Sequence, residues 1–167
     1  MILERSRATH SIPAGHGWTI YGSAKVKAPA KTVYSILRDP NSYPKWNVYT
    51  PEINTATETN DFQVGEQFML HFREDRTSRL STVTCELLAL YDEDMMLCWR
   101  GLSFPSFVLC PEKVQKVTDT ENGSCLYEVW ETFTGPLGWV AKWTMGEKLS
   151  VMAEGMANGL KKYVEDN

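Results

Sequence analysis

The spacing of apolar residues switches between period two and helical spacing along the chain, and the switches divide it into elements. Trp18 to Val26 is rich in β-favouring residues and ends at Lys27-Ala28-Pro29. Pro29 suits the first turn of a helix, and Val33, Ile36 and Leu37 follow an i, i+3, i+4 spacing, so a short helix is predicted over Ala30 to Leu37. Asp39-Pro40-Asn41 stops it, because Pro40 cannot continue the backbone bonding, and a second short helix is expected over Ser42 to Trp46.

From Pro51 to Thr134 the chain is a series of alternating or apolar runs. These are Glu52 to Thr57, Gln67 to Arg73, Leu80 to Leu90, Met95 to Gly101, Leu109 to Thr118 and Cys125 to Thr134. The polar breaks between them are of hairpin length, which predicts antiparallel pairing, since parallel neighbours need crossovers of a dozen or more residues. After Gly135-Pro136, Leu137 to about Glu165 reads as one long helix. Met145, Leu149, Met152, Met156, Leu160 and Tyr163 fall within a stripe of roughly 80°, with Glu147, Glu154, Asn158, Lys162 and Glu165 opposite. That stripe needs an apolar surface, and the sheet is the large one on offer. Each interior glycine costs a helix about 1 kcal/mol, so Gly155 and Gly159 point to close backbone approach or room for a ligand.

Composition narrows the class. The 167 residues fit about one domain of ordinary size, and 43% hydrophobic with 23% charged residues gives no support to disorder or a fibrous chain. Seventeen Lys and Arg against 21 Asp and Glu leave a net charge of −4 with both signs scattered, so there is no basic footprint for nucleic acid. Apolar runs such as Met95 to Trp99 are far shorter than the roughly 20 residues of a membrane span, and no integral membrane contact is expected. The first residues lack the apolar stretch of a secretory signal and include Glu4, so a cytoplasmic location is expected. Cys85, Cys98, Cys110 and Cys125 are widely spaced without a C-x-x-C and read as free, mostly buried thiols. Residues 1–17, with Pro13, Gly15 and Gly17 and no periodicity, read as an N-terminal arm leading into a single domain over 18–167.

The element order, one strand, two short helices, six strands and a long helix, resembles the helix-grip fold of the START-like (SRPBCC) superfamily. The local text is similar to its polyketide cyclase/dehydrase branch. The similar segments are Lys27-Ala28-Pro29-Ala30-Lys31-Thr32-Val33-Tyr34, Leu37-Arg38-Asp39-Pro40 and Tyr43-Pro44-Lys45-Trp46-Asn47, then Leu97-Cys98-Trp99-Arg100-Gly101, Glu131-Thr132-Phe133-Thr134-Gly135 and Met156 to Glu165. The resemblance implies an α+β fold in which a curved, seven-stranded antiparallel sheet wraps the C-terminal helix and leaves an apolar cavity. It also implies a hydrophobic small-molecule ligand or substrate. The superfamily includes cofactor-free cyclases, carriers of lipids, quinones and hormones, and co-chaperones, and it has no universal catalytic motif. This chain departs from common members in its 17-residue leader and in Phe104-Pro105-Ser106-Phe107, a segment expected to alter the cavity mouth.

Strand alternation sorts candidate residues by face. Phe68, Leu70 and Phe72 share one face, which sets His71 on the other. Leu97 and Trp99 are read as inward, with Arg100 turned away. Tyr127, Val129, Glu131 and Phe133 share a face and are taken as inward. Glu131 would then be a carboxylate beside an apolar cavity, suited to general acid/base work unless it pairs with a Lys or Arg or caps backbone amides near Gly135. Lys113, with Gln115 and Val117, could face inward and hold a carbonyl or enolate, although Val114 argues for the opposite parity. Tyr127 offers a hydroxyl to an oxyanion, or its ring simply fills space. Glu131, Tyr127 and Lys113 are therefore the catalytic candidates. The ligand-binding candidates are Trp46 and Tyr49 at one end of the cavity, the inward strand residues Phe68, Leu70, Phe72, Leu97, Trp99, Val129 and Phe133, and Met152 and Met156 on the long helix. Trp46 has the alternative role of anchoring the helical pair.

Three histidines, His10, His16 and His71, have no metal-ligand spacing, and neither a nucleophile elbow nor a phosphate-cradling loop occurs, so chemistry without metal or cofactor is expected. A cyclase, dehydratase or isomerase of a polyketide-like metabolite is favoured slightly over a non-catalytic carrier, with a chaperone partner as the weakest reading. A monomer or homodimer fits either.

Overall fold

The computed structural model describes residues 1–56, 60–75 and 77–167. Seven strands form one antiparallel sheet: β1 (Trp18–Val26), β2 (Glu52–Thr55), β3 (Gln67–Phe72), β4 (Ser81–Tyr91), β5 (Met96–Gly101), β6 (Cys110–Asp119) and β7 (Cys125–Thr134), in the spatial order β1-β7-β6-β5-β4-β3-β2. Two short helices, α1 (Ala30–Arg38) and α2 (Tyr43–Trp46), close one end, and the long helix α3 (Pro136–Asp166) lies across the curved inner face. β1 and β7 coincide with the alternating runs read from the sequence, and the remaining boundaries move by a residue or two. The Thr57 end predicted for β2 lies outside the described residues. Pro29 sits one residue before α1, as its N-cap, rather than inside the first turn.

Two packed ends flank the middle of the sheet. At one, Val33 and Leu37 of α1, Tyr43 and Trp46 of α2 and Leu160 of α3 join the inward residues Val26, Leu97, Val117 and Tyr127 in the main apolar cluster. A hydrogen-bonded chain runs through it: Tyr127 Oη donates to Gln115 Oε1 (2.5 Å), Gln115 Nε2 donates to Tyr43 Oη (2.8 Å), and Tyr43 Oη donates to the Leu37 carbonyl (3.0 Å). Every polar atom of this chain is satisfied, so burial raises the Tyr43 and Tyr127 pKa values without leaving an orphaned group. At the other end, Trp18 stacks on Phe133 at 4.5 Å and packs with Ile20 and Ala153.

The N-terminal residues do not hang free. Ile2 pairs with Ile20 at the open edge of β1, and the following residues strap the outer face of the sheet. The Arg7 guanidinium lies 3.9 Å from the Trp130 ring centre and 2.9 Å from Glu128. Trp130 Nε1 and Thr132 Oγ1 donate to the carbonyls of Ala8 and Arg7, each at 2.9 Å. The fully buried Glu112 carboxylate accepts from Thr9 Oγ1 (2.6 Å), Ser11 N (3.0 Å) and Ser11 Oγ. Beneath the strap, Cys98, Val114 and Trp130 form a separate apolar cluster. Among the described residues no helix is long and apolar enough to cross a membrane.

Candidate active site and ligand cavity

Between the two packed ends, the sheet and the Ala141–Met156 stretch of α3 line a partly open cavity of about 370 Å³. The register explains its wall. Ile20 pairs with Glu131, Glu131 with Lys113, Lys113 with Trp99 and Trp99 with Leu87, so these five residues form one inward rung across β1, β7, β6, β5 and β4. Ile20, Glu131, Lys113 and Trp99 of that rung line the cavity. Lys113 Nζ and Glu131 Oε2 lie 3.1 Å apart, with the two side chains only 20% and 17% exposed. The ambiguous parity of β6 is thereby resolved: Lys113 faces the cavity, Gln115 and Val117 point the same way into the packed end, and Val114 is buried on the opposite face under the N-terminal strap.

Most of the ligand-binding candidates meet here. Tyr49, Leu70, Phe72, Trp99, Val129 and Phe133 line the cavity, as do Met152 and Met156 from α3. Four candidates lie elsewhere. Tyr127 is fully buried, its hydroxyl committed to Gln115, and it does not reach the cavity. Leu97 and Phe68 are buried in the core, Phe68 with its ring centre 5.0 Å from that of Phe62 and edge-on to Trp99 at 5.7 Å. Trp46 packs on Tyr43, and its carbonyl abuts Gly159, where a Cβ would stand 2.5 Å away. His71 lies outside the cavity wall, its ring between Asn54 and Thr82, and Arg100 pairs with Glu86 at 3.0 Å.

Tyr49 is held by its surroundings. Its N–H donates to Asn47 Oδ1, its carbonyl accepts from Arg73 N, and its ring lies against Gly155, where a Cβ would stand 2.4 Å from the phenol oxygen. Both helix glycines thus serve close approach. Wall residues that the sequence reading did not assign to the cavity include Val83 and Cys85 of β4, Leu109 of the β5–β6 connection and Pro111 of β6. The β4 pair carried a signal, because Val83, Cys85 and Leu87 alternate with Thr84 and Glu86. Phe104 places the Phe104–Phe107 segment at the cavity wall, while Phe107 beside it is 79% exposed.

Apart from Lys113 and Glu131, the described wall residues carry no charge. Burial pushes the Cys85 thiol up to about 12, which removes it as a nucleophile near neutral pH. Among the described residues no group of three or more His, Cys, Asp or Glu could hold a metal ion. What the arrangement can do is solvate a ligand apolarly on nearly all sides while presenting one cation and one carboxylate at a single spot.

Comparison with known proteins agrees with this geometry. Residues 17–165 match the family described as polyketide cyclase/dehydrase and lipid transport. The oxopyrrolidines biosynthesis cluster protein O of Penicillium oxalicum is 26% identical, with 95% of this chain and 92% of that protein covered. Among solved structures, an aromatase/cyclase from Streptomyces sp. R1128 superposes with a TM-score of 0.71 at 15% identity, covering 90% of this chain and 94% of that one. Norcoclaurine synthase from Thalictrum flavum gives 0.65 at 14% identity, covering 89% and 87%. At such identities the solved structures establish the shared fold.

Proposed function

The chain belongs to the polyketide cyclase/dehydrase and lipid-transport family, and from that premise we propose that it binds an apolar, polyketide-like metabolite and catalyses its cyclisation and dehydration by proton transfer. One observation carries the proposal: among the described residues of a mostly apolar wall, the Lys113–Glu131 pair is the one charged feature. Inside such a wall, screening is weak and fixed charges act strongly on charge that develops in a substrate.

The chemistry follows from the two groups. The Glu131 carboxylate takes a proton from a carbon flanked by two carbonyls, and the Lys113 ammonium holds the resulting enolate oxygen. The enolate carbon attacks a second carbonyl carbon of the same chain, so a carbon–carbon bond forms and the attacked oxygen becomes an alkoxide. The proton on Glu131 returns to that alkoxide. A second removal of a carbon-bound proton expels the new hydroxyl, which leaves as water once it receives that proton. The apolar wall, with Met145, Met152 and Met156 adapting to the ligand, folds a flexible chain toward one ring closure. Tyr127 has no part in this, since its hydroxyl is bonded within the packed end.

A carrier function is the second reading, and the closure of the ion pair upon itself favours it, because neither charge then needs a substrate. Hydrogen–deuterium exchange at the central methylene of 1-phenylbutane-1,3-dione, followed by NMR with and without the protein, separates the two. Catalysed exchange should fall by about 10²–10⁴ in Glu131→Gln while diketone affinity changes little. Exchange equal in the variant removes Glu131 from the mechanism, and a bound diketone that exchanges no faster than in buffer supports the carrier.

A further inference from the structure

The charge of the cavity wall specifies the charge of its occupant. Lys113 and Glu131 are adjacent on one rung, 3.1 Å apart, and both side chains are largely withdrawn from water. No other described wall residue is charged, so the wall sums to zero. A carboxylate ligand entering this space can reach Lys113 only by displacing Glu131 or by sharing the ammonium with it. The first leaves a largely desolvated Glu131 without its cation, and the second brings two carboxylates together around one lysine; each costs on the order of ten-fold or more in affinity. A neutral carbonyl or hydroxyl compound meets no such penalty. It accepts from the ammonium or donates to the carboxylate while the pair stays closed.

Size sets a second limit. An apolar cavity of about 150 Å³ holds one benzene ring, so 370 Å³ has room for roughly two such rings with a substituent. From charge and size together we infer that this cavity selects uncharged, oxygenated ligands of about two fused rings or their open-chain equivalents, and discriminates against carboxylates of the same shape, fatty acids included. The inference rests on the cavity being the ligand site, as proposed above, and it narrows the ligand class within that reading whether or not turnover occurs.

Two naphthalenes of nearly equal shape test it by isothermal titration calorimetry on the full chain: 2-acetylnaphthalene, which is neutral, and 2-naphthoate, which is anionic. The ketone should bind at least about ten-fold more tightly than the carboxylate. Glu131→Gln leaves Lys113 without its partner and keeps the side-chain shape, so carboxylate affinity should rise about ten-fold while ketone affinity stays within a few-fold. Lys113→Met should suppress carboxylate binding further. Equal affinity of the wild-type chain for the two probes overturns the charge rule, and needs no variant to fold. A preference left unchanged by Glu131→Gln overturns the assignment to this pair. Binding of neither probe at millimolar concentration overturns the cavity as a site for such ligands, and with it the function proposed above, whereas absent exchange of the diketone with intact probe selectivity overturns the catalytic reading alone.

Discussion

Replacing Gly155 by alanine should destabilise the protein in its own sequence background and stabilise it once Tyr49 has been cut back. Gly155 lies well inside α3, where alanine is favoured over glycine by about 1 kcal/mol. The space beside it is occupied, however: a Cβ would stand 2.4 Å from Cε2 and Oη of Tyr49 and 2.7 Å from Cζ. The ring has to move, and since it borders the cavity it has somewhere to go. Overpacking costs about 1–3 kcal/mol, and a ring free to swing belongs in the lower half of that range. Setting about 1–2 kcal/mol of strain against the gain of about 1 kcal/mol in propensity leaves a net loss of about 0–1 kcal/mol. In the Tyr49→Ala background the obstacle is gone and the propensity gain of about 1 kcal/mol should appear alone.

The coupling between the two sites is then about 1–2 kcal/mol, measurable by urea unfolding of the four proteins with an unchanged denaturant slope. Gly159→Ala is the control. Its Cβ would meet the backbone carbonyl of Trp46 at 2.5 Å, which cannot rotate aside, so its destabilisation should be larger and indifferent to Tyr49. The displaced phenol of Gly155→Ala should also enter the cavity and weaken binding of 2-acetylnaphthalene. If Gly155→Ala shifts stability equally in both backgrounds, within about 0.3 kcal/mol, the steric account of this glycine is wrong.

Cys85 should resist iodoacetamide at pH 8, because a thiol raised to about 12 by burial is ionised to only about one part in 10⁴ there. Mass spectrometry should find it unmodified in the native chain and alkylated after unfolding, and ready native modification would refute the assigned burial. The strap should loosen in acid. Burial alone would raise the Glu128 pKa, but the bonds from Arg7 and Tyr21 outweigh it and the net shift is downward. A depressed carboxylate pKa stabilises at neutral pH, and that stabilisation is lost as pH falls through the native value. The Trp130 indole N–H resonance, which marks the bond to Ala8, should therefore shift below about pH 4.5 and stay constant in Glu128→Gln; an identical titration in the variant would refute the link.

The fold was legible because it rests on periodicity. β1 and β7 are bounded by turn residues at both ends, and the predicted α3 stripe brings Met156 and Leu160 into the core, although the buried line N-terminal to them runs through the small residues Gly146, Ser150 and Ala153 and leaves Met145 38% exposed. Face assignments along β3, β5 and β7 followed from the same alternation. Depth did not. Tyr127 and Glu131 share a face, but four residues of strand separate them by about 13 Å, and over that distance the inner surface passes from packed core to open cavity. Where the transition falls is decided by α1 and α2, which fill one end, and nothing in the β7 sequence records it. Leu97 and Phe68 were misplaced into the cavity for that reason, and Trp46 because its contact with Gly159 spans 113 positions of chain.

The strap shows a second limit, one that reaches the site itself. Residues 1–17 bind through individual side-chain and carbonyl contacts to Glu112, Glu128, Trp130 and Thr132, an arrangement without any repeat for a periodicity argument to find. By covering the outer face they bury Cys110, Glu112 and Val114, so β6 is enclosed on both sides and its alternation loses meaning. That is why Val114 competed with Lys113 for the inward position. The partner of Glu131 could be identified only from the β6–β7 register, which sets Lys113 directly opposite it. A lone carboxylate at that rung would attract cations and await a proton, whereas a closed pair presents donor and acceptor together to an uncharged ligand, and this difference in ligand chemistry turns on a single cross-strand neighbour.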